Sequence, residues 1–324
     1  TTSATFSSNF LFGNTNGVTN EKANFIFDYG IALTTSFTGN DSLDVEIESG
    51  IMGDSLLTEA DIADTSKALN IDSIRYTTTL GEKLTVMVGG GATSGSALYA
   101  QSCAYGGFTD TMDNCGVAQS NLDEGLGSTL GASFNVGAGL TFAVGLESEA
   151  NTDGLLTDQS VDAYGAQIAY NRDNWGVAVA YSAIENHTDA ANAVLSTGNT
   201  AGLTTSTAFS VYFSPDVENI PSISVGLESA HNDASILNNN NDETSNYFVG
   251  IQWDEFGQGT LGAALGSKVP TPENADEAEM MYEVFYAYNY ADGITITPAI
   301  YVKEDATTNV DDEVGMLLKT SFSF

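Results

Sequence analysis

The feature that most constrains the fold of this chain is a two-residue alternation of apolar and polar side chains. In the segment NWGVAVAYSA, every second residue from Trp175 to Tyr181 is large and apolar or aromatic, with glycine or alanine between. In the C-terminal segment GMLLKTSFSF, one register runs from Met316 to Phe324, and the other holds Lys319 and two serines. A period of two is that of a β-strand whose faces meet different surroundings. The pattern therefore predicts an all-β fold.

About sixteen runs of this kind occur, most of them near ten residues long. A tilted strand of about ten residues is long enough to cross a bilayer. We expect strands at 2–12, 23–38, 42–49, 71–80, 83–90, 128–136, 140–148, 161–171, 174–182, 203–213, 222–230, 244–253, 259–266, 280–290, 294–302 and 313–324. Helical periodicity is confined to Ser55–Asn70, where we expect a loop with a short helix.

The links between these strands alternate strictly between short and long. The short links are 39–41, 81–82, 137–139, 172–173, 214–221, 254–258 and 291–293. The long links are 13–22, 50–70, 91–127, 149–160, 183–202, 231–243, 267–279 and 303–312. Tight turns at one end and long loops at the other are typical of transmembrane β-barrels, whereas a Greek-key sandwich gives no reason for them. We predict one antiparallel barrel over residues 1–324, with short periplasmic turns, long extracellular loops and both termini at the periplasmic end.

The apolar register meets the requirement of a surface that faces lipid. A Lys or Arg side chain at the bilayer midplane destabilises a barrel by about 2–4 kcal/mol. In the segments quoted above, no charged residue falls in the central part of the apolar face. Aromatic residues instead concentrate near strand ends, as they do at membrane interfaces, and comprise Phe12, Phe25, Phe37, Tyr170, Trp175, Tyr181, Trp253, Tyr290 and Phe324.

The charge of the chain excludes some classes of partner. Against 43 Asp and Glu residues stand 8 Lys and Arg residues, a formal net charge of -35. Nucleic acid is not an expected partner, because binding to its phosphates relies on basic residues. Disorder is not expected either, since 42% of the residues are hydrophobic. The long links hold most of the acidic residues, so we interpret the charge as a solvated outer rim.

Two cysteines, Cys103 and Cys115, stand close together in QSCAYGGFTDTMDNCGVAQ. A short-range pair in a loop rich in glycine and aspartate predicts a disulfide, and hence an oxidising compartment such as the periplasm or the cell surface. The alternative is two unrelated free thiols. A zinc site is not expected, because His187 and His231 lie far away in the sequence.

Catalytic and cofactor motifs are missing from the sequence. It contains no phosphate-binding loop, serine-hydrolase elbow or zinc-protease motif, so we expect neither enzymatic activity nor a cofactor. Two acidic clusters, Asn238–Glu243 and Asp311–Glu313, offer oxygen ligands of the kind Ca²⁺ prefers. Neither has the spacing of a calcium-binding loop, so solvated loop charge is the favoured interpretation and loop-bound Ca²⁺ the alternative.

A family resemblance enters at the C-terminus. The aromatic-x-aromatic ending on Phe324 resembles the signature that the insertion machinery of bacterial outer-membrane barrels recognises. The segments NWGVAVAYSA, YEVFYAYNYADGITITPAIYV and GMLLKTSFSF resemble cyanobacterial outer-membrane porins, which are related to the carbohydrate-selective porins, most clearly over 160–324. The resemblance implies an outer-membrane homotrimer in contact with lipid and lipopolysaccharide. Such porins normally carry an S-layer-homology domain before the barrel. We expect none within residues 1–324, which are then either the barrel portion alone or a departure from that family, and we expect peptidoglycan contact only through a domain not present here.

The same resemblance gives the longest link a role. In sixteen-stranded general porins, the loop after the fifth strand folds into the lumen and forms the constriction. Here that position belongs to 91–127, and its acidic residues would face the pore. They are Asp110, Asp113, Asp123 and Glu124. The alternative is an ordinary extracellular loop closed by a disulfide.

Acidic residues dominate the register opposite the apolar one. The expected pore-lining residues are Arg75, Asp28, Asp44, Glu46, Glu48, Glu147, Glu228, Glu283 and Lys319, with Lys303 near the rim. General porins commonly place a ladder of basic residues opposite an acidic loop; Arg75 resembles one member, and its expected neighbours are missing. Rings of carboxylates in a narrow pore favour cations, so we expect cation preference. The alternative is that these acids lie in wide vestibules and select nothing.

Two functional hypotheses remain. The favoured one is a diffusion porin for small inorganic ions and small polar solutes. The alternative is a cell-surface structural or adhesion β-protein without a conducting pore. A gated, energy-coupled transporter is disfavoured, because its larger barrel and plug domain would not fit in this length.

Overall fold

The computed structural model describes residues 2–17, 22–52, 57–117, 120, 122, 125–149, 155–157, 160–186, 202–217, 219–232, 243–272, 278–305 and 311–324. Within these ranges no helix is both long enough and apolar enough to cross a membrane.

The described residues form one sheet of sixteen long strands and one two-residue strand, β14 (Thr271–Pro272), which pairs with β12. The long strands are β1 (Thr2–Asn16), β2 (Ala23–Thr35), β3 (Asp41–Ile51), β4 (Asn70–Leu80), β5 (Leu84–Gly91), β6 (Gly127–Gly137), β7 (Leu140–Ser148), β8 (Asp162–Arg172), β9 (Trp175–Asn186), β10 (Gly202–Phe213), β11 (Ser222–Asn232), β12 (Glu243–Phe256), β13 (Gly259–Ser267), β15 (Met280–Ala291), β16 (Ile294–Lys303) and β17 (Glu313–Ser323). All pairings between them are antiparallel. β1 pairs with both β2 and β17, which closes the sheet. The predicted sixteen-stranded antiparallel barrel is confirmed.

The two faces of the wall differ as the alternation predicts. On β11, Ile223 and Leu227 point outward and are 43% and 51% exposed, whereas Ser224 and Glu228 point inward and are buried. Outward apolar side chains recur from β1 to β17. An apolar exterior around a small or polar interior is the arrangement that a lipid environment requires.

The terminal phenylalanine completes the closure of the barrel. Phe324 and Phe6 exchange backbone hydrogen bonds of 2.9 and 3.0 Å, and their rings stack with centroids 5.7 Å apart. Next to them on the outer surface, Phe10 packs against Phe25 and Phe322. Aromatic pairs of this kind add about 0.5–1.5 kcal/mol beyond the area they bury. Phe324 is therefore part of the wall.

The short links lie at the end of the barrel that also holds both chain termini. Thr2 pairs with Thr35, next to the first short link, and Ser323 pairs with Ser7. In that first link the Asp41 carboxylate accepts the backbone N–H groups of Phe37 and Thr38 at 3.0 and 2.8 Å. Side-chain acceptors of this kind satisfy the backbone donors of a tight turn.

An apolar cluster lies inside the barrel, which the sequence pattern did not predict. It joins inward side chains of β1, β2, β12, β13 and β15–β17 to residues of two long links. Leu57 is fully buried in it, next to a 3₁₀-helix, Thr58–Ala60, which is the one helical turn that the described part of Ser55–Asn70 contains. From the longest link come Phe108 and Met112, the latter on helix α1 (Asp110–Asp113). One side of the interior is therefore filled.

Candidate functional site: the internal loop and the acidic wall

The link between β5 and β6, residues 92–126 and here named the internal loop, is held against the inner wall. At its two ends, the backbone N–H groups of Gly95 and Leu126 donate to the two carboxylate oxygens of Glu147 on β7, at 2.7 and 3.2 Å. Glu147 is completely buried. One side chain thus fixes the place where the loop leaves the wall and the place where it returns.

A second carboxylate, Glu283 on β15, holds the middle of the internal loop. Its Oε1 accepts the Tyr105 hydroxyl at 2.6 Å and the Phe108 N–H at 3.1 Å, and its Oε2 accepts the N–H and hydroxyl of Thr109 at 2.9 and 2.5 Å. Burial, and then the nearby charge of Glu283, raise the pKa of the Tyr105 hydroxyl. That hydroxyl therefore stays protonated and remains a donor.

Further acceptors from the wall follow the loop along its path. The third carboxylate, Glu228 on β11, accepts the Ser120 N–H at 2.7 Å and is 4% exposed. The neutral acceptors are Gln167 Oε1 for Ala100 N–H at 2.7 Å, Ser224 Oγ for Ala104 and Tyr105 N–H at 2.9 and 3.1 Å, and Gln252 Oε1 for Gly106 N–H at 3.0 Å. Apart from the hydroxyls of Tyr105 and Thr109, the loop donors to these wall side chains are backbone N–H groups. The wall therefore fixes the backbone path of the loop and makes few contacts that depend on its side chains.

Inward glycines give the loop room to approach. A Cβ at Gly145 on β7 would overlap the carbonyl oxygen of Gly95, and a Cβ at Gly226 on β11 would overlap that of Cys115. Only glycine lets a strand and a loop backbone come this close. The loop therefore lies directly on the wall at these two points.

Two further features constrain the internal loop: a disulfide within it, and contacts with the link 52–69. Cys103 and Cys115 form a disulfide that encloses α1. From the link 52–69, the Glu59 carboxylate pairs with Lys303 on β16 and accepts the Thr111 N–H at 3.4 Å. Helix α1 is thereby held between the barrel wall and a second long link.

The part of the inner wall formed by β2–β4 carries a set of partly exposed carboxylates, here named the acidic wall: Asp28, Asp44, Glu46, Glu48 and Asp72. Glu46 is exposed and accepts the Ser73 hydroxyl at 3.1 Å. Asp28 accepts the backbone and side-chain N–H groups of Asn9 at 3.0 and 2.8 Å.

Basic groups inside the barrel are few, and most of them are engaged. Arg75 on β4 lies 3.7 Å from Asp44, and Lys303 pairs with Glu59. The Lys319 ammonium lies 5.6 Å from the centroid of the Phe108 ring. The acidic wall therefore keeps a net negative charge, with five carboxylates against the single guanidinium of Arg75.

No family model matches the sequence, and no curated protein matches it. Solved structures match over the whole chain. OprB from Pseudomonas putida, at high pH, has a TM-score of 0.66 and 11% identity, with 99% of this chain and 93% of that chain covered. The anion-selective porin from Comamonas acidovorans has a TM-score of 0.69 and 13% identity, with 100% and 99% covered. A mutant Rh. blastica porin has a TM-score of 0.58 and 13% identity, with both chains fully covered. The chain has the porin fold.

Within this porin fold, the inward register contains every described residue that the sequence analysis assigned to the pore wall. Three of those assignments need correction, however. Glu147, Glu228 and Glu283 are 0%, 4% and 2% exposed, because the internal loop covers them and its N–H groups occupy their oxygens. Their side chains hold the loop and do not line open space. Asp28, Asp44, Glu46, Glu48, Arg75 and Lys319 keep partial or full exposure.

The acidic residues predicted on the loop divide into two groups. Asp110 and Asp113 are exposed on α1, and Asp113 accepts the Gly107 N–H at 3.1 Å. Asp123 and Glu124 lie outside the described residues. Asp72 was not among the predicted pore-lining residues, because a register shift between Glu46 and Ile47 inserts one extra residue into β4 and so breaks the alternation from which the faces were assigned.

The described residues contain no candidate metal site. Among the residues that the structure describes, no group of three or more His, Cys, Asp or Glu side chains is arranged to hold an ion. In the cluster Asp311–Glu313, Glu313 accepts the Tyr301 hydroxyl at 2.6 Å and Asp312 accepts the Asp305 N–H at 3.1 Å. Residues 238–242 of the other cluster lie outside the described residues.

Proposed function

We propose that this protein is an outer-membrane diffusion channel for small inorganic ions and small polar solutes, with a preference for cations. The observation that carries the proposal is the contrast between the two faces of a closed sheet. The outside presents apolar side chains, and the inside carries hydrogen-bonding and charged groups. A bilayer accepts the first surface, and water fills the part of the interior that the apolar cluster leaves open. The proposed location is the outer membrane of a bacterium of the Gram-negative type.

Cation preference follows from the acidic wall. Carboxylates in a narrow pore with walls of low dielectric constant raise the local concentration of cations and repel anions. The five carboxylates of the acidic wall are partly exposed, and the one guanidinium among them is paired with Asp44. Because these charges are in contact with solvent, salt should screen them over a Debye length of about 10 Å at 0.1 M.

Bilayer electrophysiology tests both parts of the proposal. Purified protein inserted into a planar bilayer should give stepwise conductance. In a KCl gradient, the reversal potential should have the sign of potassium preference and should decrease in magnitude as the mean salt concentration rises. An anion-preferring reversal potential would refute the selectivity, and a folded barrel without conductance would refute the channel.

The second candidate is a surface structural or adhesion protein without a conducting pore. The observation that favours it is the apolar cluster inside the barrel, which fills one side of the interior. Absence of conductance from protein that inserts and shows heat-modifiable gel mobility would select this candidate. A homotrimer, proposed on the family resemblance, is tested separately by chemical crosslinking in detergent, where monomer alone would contradict it.

A further inference from the structure

We propose that Glu147, Glu228 and Glu283 are positioning residues that set the path of the internal loop and contribute little to ion selection. The inference rests on the proposed channel function. It assigns different tasks to two sets of inward carboxylates. One set is buried under the loop, and the other, the acidic wall, faces open space.

The bonding of the buried set is the first argument. Glu147 receives amides from both ends of the loop, one on each oxygen, and Glu283 receives four donors from Tyr105, Phe108 and Thr109. A carboxylate is suited to this task because both of its oxygens only accept hydrogen bonds. A glutamine side chain has one acceptor oxygen, so its amino group would face donors of the loop.

Burial is the second argument. A carboxylate that loses its partners in a buried place keeps the full cost of its desolvation. Each of the three is less than 5% exposed, so the loop amides replace water as its solvation shell. The loop and the carboxylates therefore depend on each other, and a loop displaced from the wall would leave three charges without that shell.

The acidic wall supplies the contrast. Glu46 lies on the same inward register and is exposed, with the Ser73 hydroxyl as a donor from the neighbouring strand. Its charge acts directly on ions in the lumen. The charges of the buried set are offset by amide dipoles that point at them, so removal of one such charge should alter the loop more than the potential of the pore.

The test compares two pairs of variants that each remove one inward carboxylate charge. Glu147→Gln and Glu283→Gln alter the buried set, and Glu46→Gln and Glu48→Gln alter the acidic wall. Two measurements are made on each: amide hydrogen exchange of the loop segment 95–109 in detergent, and the reversal potential in a KCl gradient. Heat-modifiable gel mobility confirms that each barrel is folded.

For the buried pair we expect loop exchange to accelerate by about tenfold or more, equivalent to about 1.4 kcal/mol of opening free energy, with a nearly unchanged reversal potential. For the wall pair we expect unchanged exchange and a reversal potential shifted toward lower cation preference. The proposal is overturned if Glu147→Gln and Glu283→Gln leave exchange at the wild-type rate, or if they shift the reversal potential as much as Glu46→Gln does.

Two provisions keep the test decisive. Should a buried-set variant fail to fold, Glu228→Gln replaces it, because Glu228 also accepts a loop amide, the Ser120 N–H at 2.7 Å. Its expected effect is faster amide exchange around Ser120, confined to the loop. Hydrogen exchange does not require conduction, so a non-conducting wild type would refute the proposed function while the exchange results still decide whether these residues position the loop.

Discussion

The ammonium group of Lys319 on β17 lies over the ring of Phe108 in the internal loop, 5.6 Å from the ring centroid. A cation over an aromatic face gains about 0.5–1 kcal/mol at exposed sites and more where water is excluded. The contact joins the last strand of the barrel to the loop beside Glu283. It also places one positive charge on the inner wall of the barrel.

Replacement of Lys319 by glutamine should raise the cation preference of the channel, because a positive charge leaves the lumen while every carboxylate stays. The measurement is the reversal potential in a KCl gradient. Phe108→Leu is the matched control, since it removes the ring and keeps the charge. Its reversal potential should match that of the wild type. An unchanged potential in Lys319→Gln would show that this ammonium group does not act on passing ions.

Arg75 offers a second test of the acidic wall. Its guanidinium lies 3.7 Å from Asp44, and its side chain is 37% exposed, so the pair should contribute only about 0–1 kcal/mol to stability. Arg75→Ala should therefore leave the barrel stable and shift the reversal potential further toward potassium. The control is Arg172→Ala, which removes the same charge from the end of β8, where it bonds Tyr170. A shift toward anions in Arg75→Ala would contradict the acidic wall as the selective element.

The strands and their faces could be predicted because both follow from a local period. Each strand has an apolar side and a polar side, and this is visible in any ten-residue window. The largest differences between predicted and observed strand ends occur in β1 and β9. Each of these two strands continues four residues beyond its predicted C-terminal end. These ends extend beyond the apolar stretch, where hydrogen bonding continues after the hydrophobic signal has stopped.

The division of the inward carboxylates could not be predicted in the same way. Glu46 and Glu147 occupy equivalent places in the alternation, yet one is exposed and the other completely buried. The difference depends on a distant loop whose backbone amides, common to all residues except proline, carry no sequence signal. A weak signal does exist at Gly145 and Gly226, inward positions where a missing side chain leaves room for another chain segment.

Loss of the disulfide should loosen the internal loop and leave the barrel intact. The bond between Cys103 and Cys115 closes a short loop around α1, which in the chain-entropy model stabilises by about 2–3 kcal/mol. The double variant Cys103→Ser, Cys115→Ser should show faster amide exchange in 104–114 and noisier open-channel current. Heat-modifiable mobility should stay as in the wild type, because no strand pairing involves either residue. Identical current noise in oxidised wild type and double variant would show that the wall contacts alone fix the loop.

The apolar exterior gives the last prediction, which concerns the lipid face. Leu227 lies in the middle of β11, points outward and is 51% exposed. Leu227→Lys should lower the free energy of unfolding in lipid vesicles by about 2–4 kcal/mol, because a charged group would face the hydrocarbon core. Ser73→Lys is the matched control: it places the same side chain on the inner wall opposite Glu46, where water and a carboxylate receive it. Its unfolding free energy, measured by urea titration, should stay within about 1 kcal/mol of the wild type. Equal losses in the two variants would mean that the outer surface does not face lipid, and the membrane location proposed for this barrel would fail with it.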